Sequence, residues 1–463
     1  MKQRITRRSL VKATGLAIGV VRWCNWMIIT ALPSLLILNL PVAQAASGSE
    51  EIVAMDLLTV KEPRSQAESR LRVIRLTTRS GAMGYGDYLD FGLPAENEEE
   101  TLARLVNRYA AQDHKIDIFM TDPSMRPVGG GHTVLGQTAE QLLQANPVTD
   151  DAPHALFIWG GFGPMWQGPG KPALIIGLQT ALLDLAGETG PCRVRLCPSI
   201  RMDQELDGKH RLCTPEEMRQ RVASLKKAGF TAVRLELGGA LDDEMKARGE
   251  CAPYRYPQEV LGRISSLMLA AKKAAGPEMD VAVAADMNLG TDGLTYLALR
   301  CQRNKVTLLE NPMALRHLPV QGAARKEFSQ PLGFGGDYHA LEDFAQGIKK
   351  QVGAVLVPDA GRIGGVTMLA RTADLAKDAQ LKVAPVVQGG PFSLLAVARS
   401  LSGRDEVLWV TAPHLAEWLK EGGVLKTPLR MVQGSLLTES CAMDETKFRV
   451  RRIAQVGAET KEK

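Results

Sequence analysis

The chain is predicted to fold as an α/β protein, a (β/α)8-type barrel behind a small N-terminal α+β domain. Two observations predict it. After about residue 191, short apolar runs alternate with amphipathic stretches, the pattern of repeated βα units around a parallel sheet. Several of these runs end on Asp286, Glu310, Asp337, Asp359 and Val386, spaced about 22 to 27 residues apart, close to one βα repeat each.

Before the barrel, residues 49–190 read as the α+β domain. Residues 53–60 and 70–78 are β-rich runs joined by a polar loop, and residues 81–87 read as a glycine-rich turn. Helical periodicity follows over 98–111 and 172–185.

The barrel domain spans 191–433. One unit shows its pattern: Thr214, Pro215 and Glu217 supply an N-cap, a proline at the first helical position and a capping-box glutamate. That helix runs to Lys227, stops at Gly229, and is followed by a strand over 231–237. Further strands are expected at 194–202, 280–288, 306–310, 331–337, 354–359, 382–387 and 406–411. The tail, 434–463, is expected to return to the small domain.

Residues 1–45 read as a twin-arginine-type signal segment. Arg7 and Arg8 sit in a short polar frame ahead of an apolar stretch, and Ala43-Gln44-Ala45 follows. Cleavage after Ala45 predicts an exported, periplasmic or extracytoplasmic protein. The alternative is a retained membrane anchor, since residues 23–40 are mostly apolar and about long enough to span a bilayer.

The formal charge of +5 belongs to that leader, which holds six basic residues and no acid; the rest carries 50 basic against 51 acidic residues. No basic stripe interleaved with aromatics remains, which argues against a nucleic-acid partner. Beyond the leader, Cys192, Cys197, Cys213, Cys251, Cys301 and Cys441 are too sparse for a disulfide framework and form no C-x-x-C pair, though export permits a disulfide or two.

At the carboxyl ends of barrel strands, side chains from several strands converge. Three carboxylates around one point, Asp286, Glu310 and Asp337, repel one another unless a hard cation lies between them. A single Mg2+ is the natural occupant, and it would hold a small-molecule carboxylate and stabilise the enediolate left when the adjacent carbon loses its proton.

The stretches 79–87 (RSGAMGYGD), 172–184 (PALIIGLQTALLD), 286–288 (DMN), 310–312 (ENP) and 358–367 (PDAGRIGGVT) together carry a resemblance to the mandelate racemase and muconate lactonising enzyme group of the enolase superfamily. The resemblance covers nearly all of the chain beyond the leader. It implies a modified (β/α)7β TIM-type barrel with an N-terminal α+β capping domain, and Mg2+ on Asp286, Glu310 and Asp337. The third ligand is usually glutamate, so Asp337 is a mild departure; Asn288 would be a polar neighbour of metal or substrate.

The larger departures are at the bases. Where the family has Lys-x-Lys on the second strand, this chain has Arg234-Leu235-Glu236, both charged side chains pointing inward because strand residues two apart share a face. Asp359 is present where the family's strand-six aspartate orients a histidine, but Val386 stands in that histidine's place. A looser correspondence puts Thr411 where some relatives carry a hydrogen-bonding glutamate.

The candidate catalytic residues are therefore Glu236, Arg234 and Asp359. Glu236 would act as an unorthodox base or be tied in an ion pair with Arg234, and Asp359 would act or pair with Arg362. Asn288, Trp159 and Trp166 are the candidate substrate-binding residues. The two tryptophans and Phe162 would line a lid or pack a domain interface, and Tyr338, His339 and His317 would be solvated or packed loop residues or reach a ligand.

Two functional readings stand. One is an exported, metal-dependent enzyme acting on a carboxylate, an acid-sugar dehydratase or epimerase; the other is a catalytically silent protein that binds metal and carboxylate. Homo-oligomerisation stays open.

Overall fold

The computed structural model describes residues 49–89, 138–144, 170–187, 192–206, 209–237, 258–285, 289–419, 423–437 and 441–455. The leader, the expected helix over 98–111, Cys251 and four candidate site residues (Asp286, Asn288, Trp159 and Trp166) lie outside them.

The N-terminal domain is an antiparallel sheet of β1 (Ile52–Val60), β2 (Leu71–Thr78) and β3 (Met83–Leu89), joined at its edge by β16 (Phe448–Gln455) from the end of the chain. A buried carboxylate ties these strands. Asp56 lies opposite Arg75 on β2 and Arg452 on β16 and bonds to both, and Arg75 reaches on to Glu445 at 2.6 Å. A fully covered anion needs such partners to offset its lost hydration.

The glycine-rich segment 81–87 differs from the turn expected of it. Only its start turns; from Met83 it is a strand, because the helix Gly170–Leu185 lies directly on that strand. A Cβ on Gly84 would lie 2.4 Å from the Ala181 carbonyl oxygen, and one on Gly86 1.8 Å from that of Gly177. These glycines serve close packing and not chain reversal.

In the larger domain, β4 (Val194–Arg201), β7 (Ala232–Glu236), β8 (Asp280–Ala284), β9 (Leu308–Glu310), β10 (Leu332–Phe334), β11 (Val355–Leu356) and β12 (Lys382–Val383) pair in parallel in that order. The next strand, β13 (Val410–Ala412), pairs in parallel with β4, and bridges from Val383 to Val407 and from Val386 to Thr411 join it to the run that begins with β12. The pairings thus return to their starting strand. A hairpin, β5 (Asp203–Leu206) with β6 (Lys209–Leu212), follows β4, and a second, β14 (Met431–Val432) with β15 (Ser435–Leu436), pairs antiparallel with the start of β4.

Side chains alternate across these strands as the pleat requires. Cys197, Ala232, Ala282, Leu308, Val355, Val357, Ala384, Val386 and Trp409 form one buried cluster, while alternate residues such as Val233, Val281, Val283 and Val383 join the larger core. The alanines leave room for the fully buried indole of Trp409, which takes the Arg195 guanidinium 5.6 Å from its ring centre. Between strands, the helix Pro215–Lys227 opens on the capping box read from sequence: Thr214 Oγ accepts from Glu217 N, and Glu217 accepts from Thr214 N at 2.7 Å.

Two side chains of the N-terminal domain cap helices of the larger one. Asp87, on β3, accepts hydrogen bonds from Gly390, Phe392 and Ser393 N–H at 2.7 to 3.0 Å, filling the N-terminus of the helix Pro391–Ser400. Gln179 accepts from Val366 N at 2.8 Å at the start of the helix Val366–Asp378. Among the described cysteines, Cys197, Cys213, Cys301 and Cys441 are free. No helix of the described residues is long and apolar enough to cross a membrane.

Candidate active site

Strand pairing brings the candidate residues of β7 and β9 to one level. Glu236 lies opposite Ala284 on β8, and Ala284 lies opposite Glu310 on β9. Between the two glutamates the sheet therefore presents a methyl group, and Ala282 lies one step below. Arg234, on the inward face with Ala232 and Glu236, occupies that space. Its Nε donates to Glu310 Oε2 at 2.7 Å, its Nη1 to Glu236 Oε1, and Nη1 also lies 3.4 Å from Ser199 Oγ.

Burial grades the three charges. Glu310 has no exposed surface, the Arg234 side chain is 8% exposed, and Glu236 is 22% exposed at the mouth. Burial pushes the Glu310 carboxyl above its ordinary value, against the pull of the Arg234 guanidinium. Its second oxygen, Oε1, is buried with no hydrogen-bond partner. Glycine at 333, opposite Glu310 on β10, keeps the other flank thin: a Cβ there would lie 2.6 Å from Val357 Cγ2.

Asp337 follows β10 after two glycines, the first at φ +116°. Gly336 N donates to Asn311 Oδ1 at 2.9 Å, fastening this loop to the end of β9, and Asp337 Oδ2 accepts from Leu315 N at 2.8 Å. Tyr338 turns into the core, its ring 4.9 Å from that of Phe344 and 6.0 Å from that of Phe334. His339 is exposed at the start of the helix Leu341–Lys349, and His317 ends the 3-10 turn Leu315–His317.

Asp359 is buried and fully engaged. Its Oδ1 accepts from Gly361 N at 2.9 Å, its Oδ2 from Gln388 Nε2 at 2.8 Å, and Arg362 Nε stands 3.8 Å away. Burial raises its carboxyl above the ordinary value, with Arg362 opposing. Val386 lies in the apolar interior cluster, so no titratable group takes its place.

Two residues that sequence reasoning missed stand at this mouth. Gln388 shares the inward parity of Ala384 and Val386, a signal available from counting along the strand. His414, just past β13, is half-buried with Glu236, Glu417 and, from the N-terminal domain, Arg70 in its surroundings. Burial, then Arg70, holds its imidazole below the ordinary value, so it is neutral at neutral pH. Ala412 pairs with Pro198 and Glu236 with Arg201, so His414 and Glu236 lie at nearly one height on either side of β4.

A family model described as enolase C-terminal domain-like matches residues 217–440. Over that region, just under half of the chain, the sequence is similar to the enolase superfamily. Solved structures share the fold of this chain. A mandelate racemase/muconate lactonizing enzyme-like protein from Rubrobacter xylanophilus DSM 9941 is 17% identical, with 86% of this chain and 96% of that one covered and a TM-score of 0.63. A mandelate racemase/muconate lactonizing enzyme from Jannaschia sp. CCS1 is 18% identical over 86% and 95%, TM-score 0.62. An enolase of the mandelate racemase subgroup from Agrobacterium tumefaciens is 16% identical over 87% and 98%, TM-score 0.61. At such identities the likeness shows the fold, an α/β TIM-type barrel with an N-terminal capping domain. No curated protein matches the chain.

The superfamily implies a divalent metal, and one feature of the site suits it. The Glu310 Oε1 atom is a buried carboxylate oxygen without a hydrogen-bond partner, the kind of atom a hard cation takes up. Among the described residues no cluster of three or more His, Cys, Asp or Glu side chains is placed to hold an ion. Glu310 and Asp337 are the described members of the expected set, and Asp286 lies outside the described residues. Any cation there shares Glu310 with Arg234.

Proposed function

We propose that the chain is an exported enzyme that removes the proton α to the carboxylate of a small-molecule substrate, an acid-sugar dehydratase or epimerase, with Glu236 as the proton acceptor. The fold reading that goes with it is a modified (β/α)7β barrel. The observation that carries the proposal is the placement of Glu236: of Arg234, Glu236, Glu310 and Asp359, its carboxylate is the one that reaches the mouth.

Arg234 fixes that carboxylate in position, so the acceptor oxygen is oriented before a substrate arrives. The neutral imidazole of His414 stands nearby and is suited to take the proton on from Glu236. Protonating the same carbon on its opposite face gives epimerisation; passing the proton to a departing β-hydroxyl, which leaves as water, gives dehydration. Gln388, its amide nitrogen held by Asp359, keeps its carbonyl oxygen as an acceptor for a substrate hydroxyl. Mg2+, held by Glu310 and Asp337 with Asp286, would supply charge stabilisation to the substrate carboxylate when bound.

Export rests on the arginine pair Arg7 and Arg8, with a retained anchor as the variant form. A second reading, binding without turnover, is favoured by Val386 packed in the apolar interior where the family places its histidine. The test is Glu236→Gln, assayed across acid sugars. Lost turnover with carboxylate binding retained supports the enzyme; turnover unchanged from wild type removes Glu236 from the mechanism.

A further inference from the structure

The Arg234 guanidinium makes two contacts with carboxylates that no flexible surface arginine would make. It is nearly covered, it lies between Glu236 and the fully buried Glu310, and it reaches the latter across the space left by Ala282 and Ala284. A buried carboxylate without a counter-charge is strongly destabilising, and here that counter-charge belongs to the chain itself. From this juxtaposition we infer that Arg234 is the resident cation of the site: it balances Glu310 and Glu236 in the metal-free protein, so a divalent ion binds weakly and in competition with the Arg234–Glu310 contact.

Three physical points support this. Arginine stays protonated under all working conditions, so unlike a lysine it cannot withdraw its charge by losing a proton. Like charges repel at close range, most strongly where water is excluded, so an ion approaching Glu310 meets a fixed positive charge already bonded to that carboxylate. Only Oε1 of Glu310 is left without a partner, so the residue can offer an ion a single oxygen unless the 2.7 Å contact with Nε breaks. The protein is therefore expected to fold and remain folded without metal.

The inference rests on the reading of Glu310 as a metal ligand, and the test separates the two. Mn2+ and Mg2+ binding are measured by calorimetry, and melting temperature with and without chelator, on the full chain as wild type, Arg234→Gln, and Arg234→Gln with Glu310→Gln. The wild-type melting temperature should ignore both metal and chelator. Arg234→Gln should be destabilised in chelator, recover with Mn2+, and bind Mn2+ on the order of tenfold or more tightly than wild type. The double variant, whose paired amides leave no buried charge, should be stable in chelator and indifferent to metal, which keeps the comparison informative if the single variant folds poorly. Equal, tight binding by wild type and Arg234→Gln overturns the competition while keeping Glu310 as a ligand. No binding by either protein overturns both.

Discussion

Removing the Asp87 carboxylate should loosen the contact between the two domains and one barrel helix at once. Asp87 is wholly buried and accepts three backbone N–H groups at the start of the helix Pro391–Ser400, and Ser393 Oγ donates to its carbonyl oxygen at 2.6 Å. Asp87→Ala strands those three donors. Loss of a helix N-cap costs about 0.5–2 kcal/mol, and hydrogen bonds to a charged group are each worth about 1.5–3 kcal/mol. Against this stands the cost of burying the carboxylate, which pushes its pKa up. A net loss of about 3 kcal/mol follows, or roughly 6 °C or more in Tm if a 150–250-residue domain is the unfolding unit.

The sign of its pH dependence is set by that raised pKa. The carboxyl binds its proton more readily in the folded state, so the proton-linked part of its contribution is fullest below the ordinary carboxylate range and is lost as pH rises through the folded value, leaving the hydrogen-bonded part. The advantage of wild type over Asp87→Ala should shrink accordingly. Urea unfolding followed by tryptophan emission, with hydrogen exchange at the amides of residues 390–393, measures both. Unchanged exchange at these amides and an unchanged midpoint would refute the capping role.

Other consequences are equally specific. Gly86→Ala puts a methyl group where only 1.8 Å separates it from the Gly177 carbonyl oxygen, so the helix Gly170–Leu185 must shift off β3; a loss of about 3 kcal/mol or more is expected in denaturant titration. His414→Gln should flatten the acid limb of stability. A depressed imidazole gives a contribution that is present above about pH 6.5 and lost as pH falls toward its folded value, so the wild-type minus variant difference should decline on acidification. Val386→His should lower stability by about 2–3 kcal/mol without adding activity, because the imidazole would enter the cluster of Leu308, Val357 and Trp409. A gain of turnover there would show that the apolar packing is easily opened.

Much of this architecture was legible in apolar runs and caps. The Thr214 capping box and the strands of the larger domain follow from local pattern, since each strand buries the same alternate residues that its sequence marks as apolar. Strand lengths were overestimated: β11 is ladder-paired only over Val355–Leu356, where residues 354–359 were expected, because beyond it the chain continues through the single bridge from Asp359 to Val386.

The misread segment was 81–87, where glycine means helix contact, a cause lying about a hundred residues away in Gly177 and Ala181. The paired strands Asp203–Leu206 and Lys209–Leu212 were likewise invisible, the first held by the two-point contact of Arg201 with buried Asp203.

At the site, the pairing of Arg234 with Glu236 could be anticipated from the two-residue repeat. Its reach to Glu310 could not, since that depends on Ala282 and Ala284 standing on the strand between. His414 escaped notice because it lies beyond the strand and meets Glu236 only through the ring closure of β13 on β4.

Whether this site still moves a proton decides between the enzyme and the carboxylate-binding protein. The most direct measurement is exchange of substrate α-hydrogen for deuterium in D2O, followed by NMR across acid sugars and related carboxylates that bind the wild-type protein. At least one ligand should exchange with wild type, and that exchange should vanish in Glu236→Gln. Ligands that bind but show no exchange with the wild-type protein would contradict the enzyme and leave a carboxylate-binding barrel.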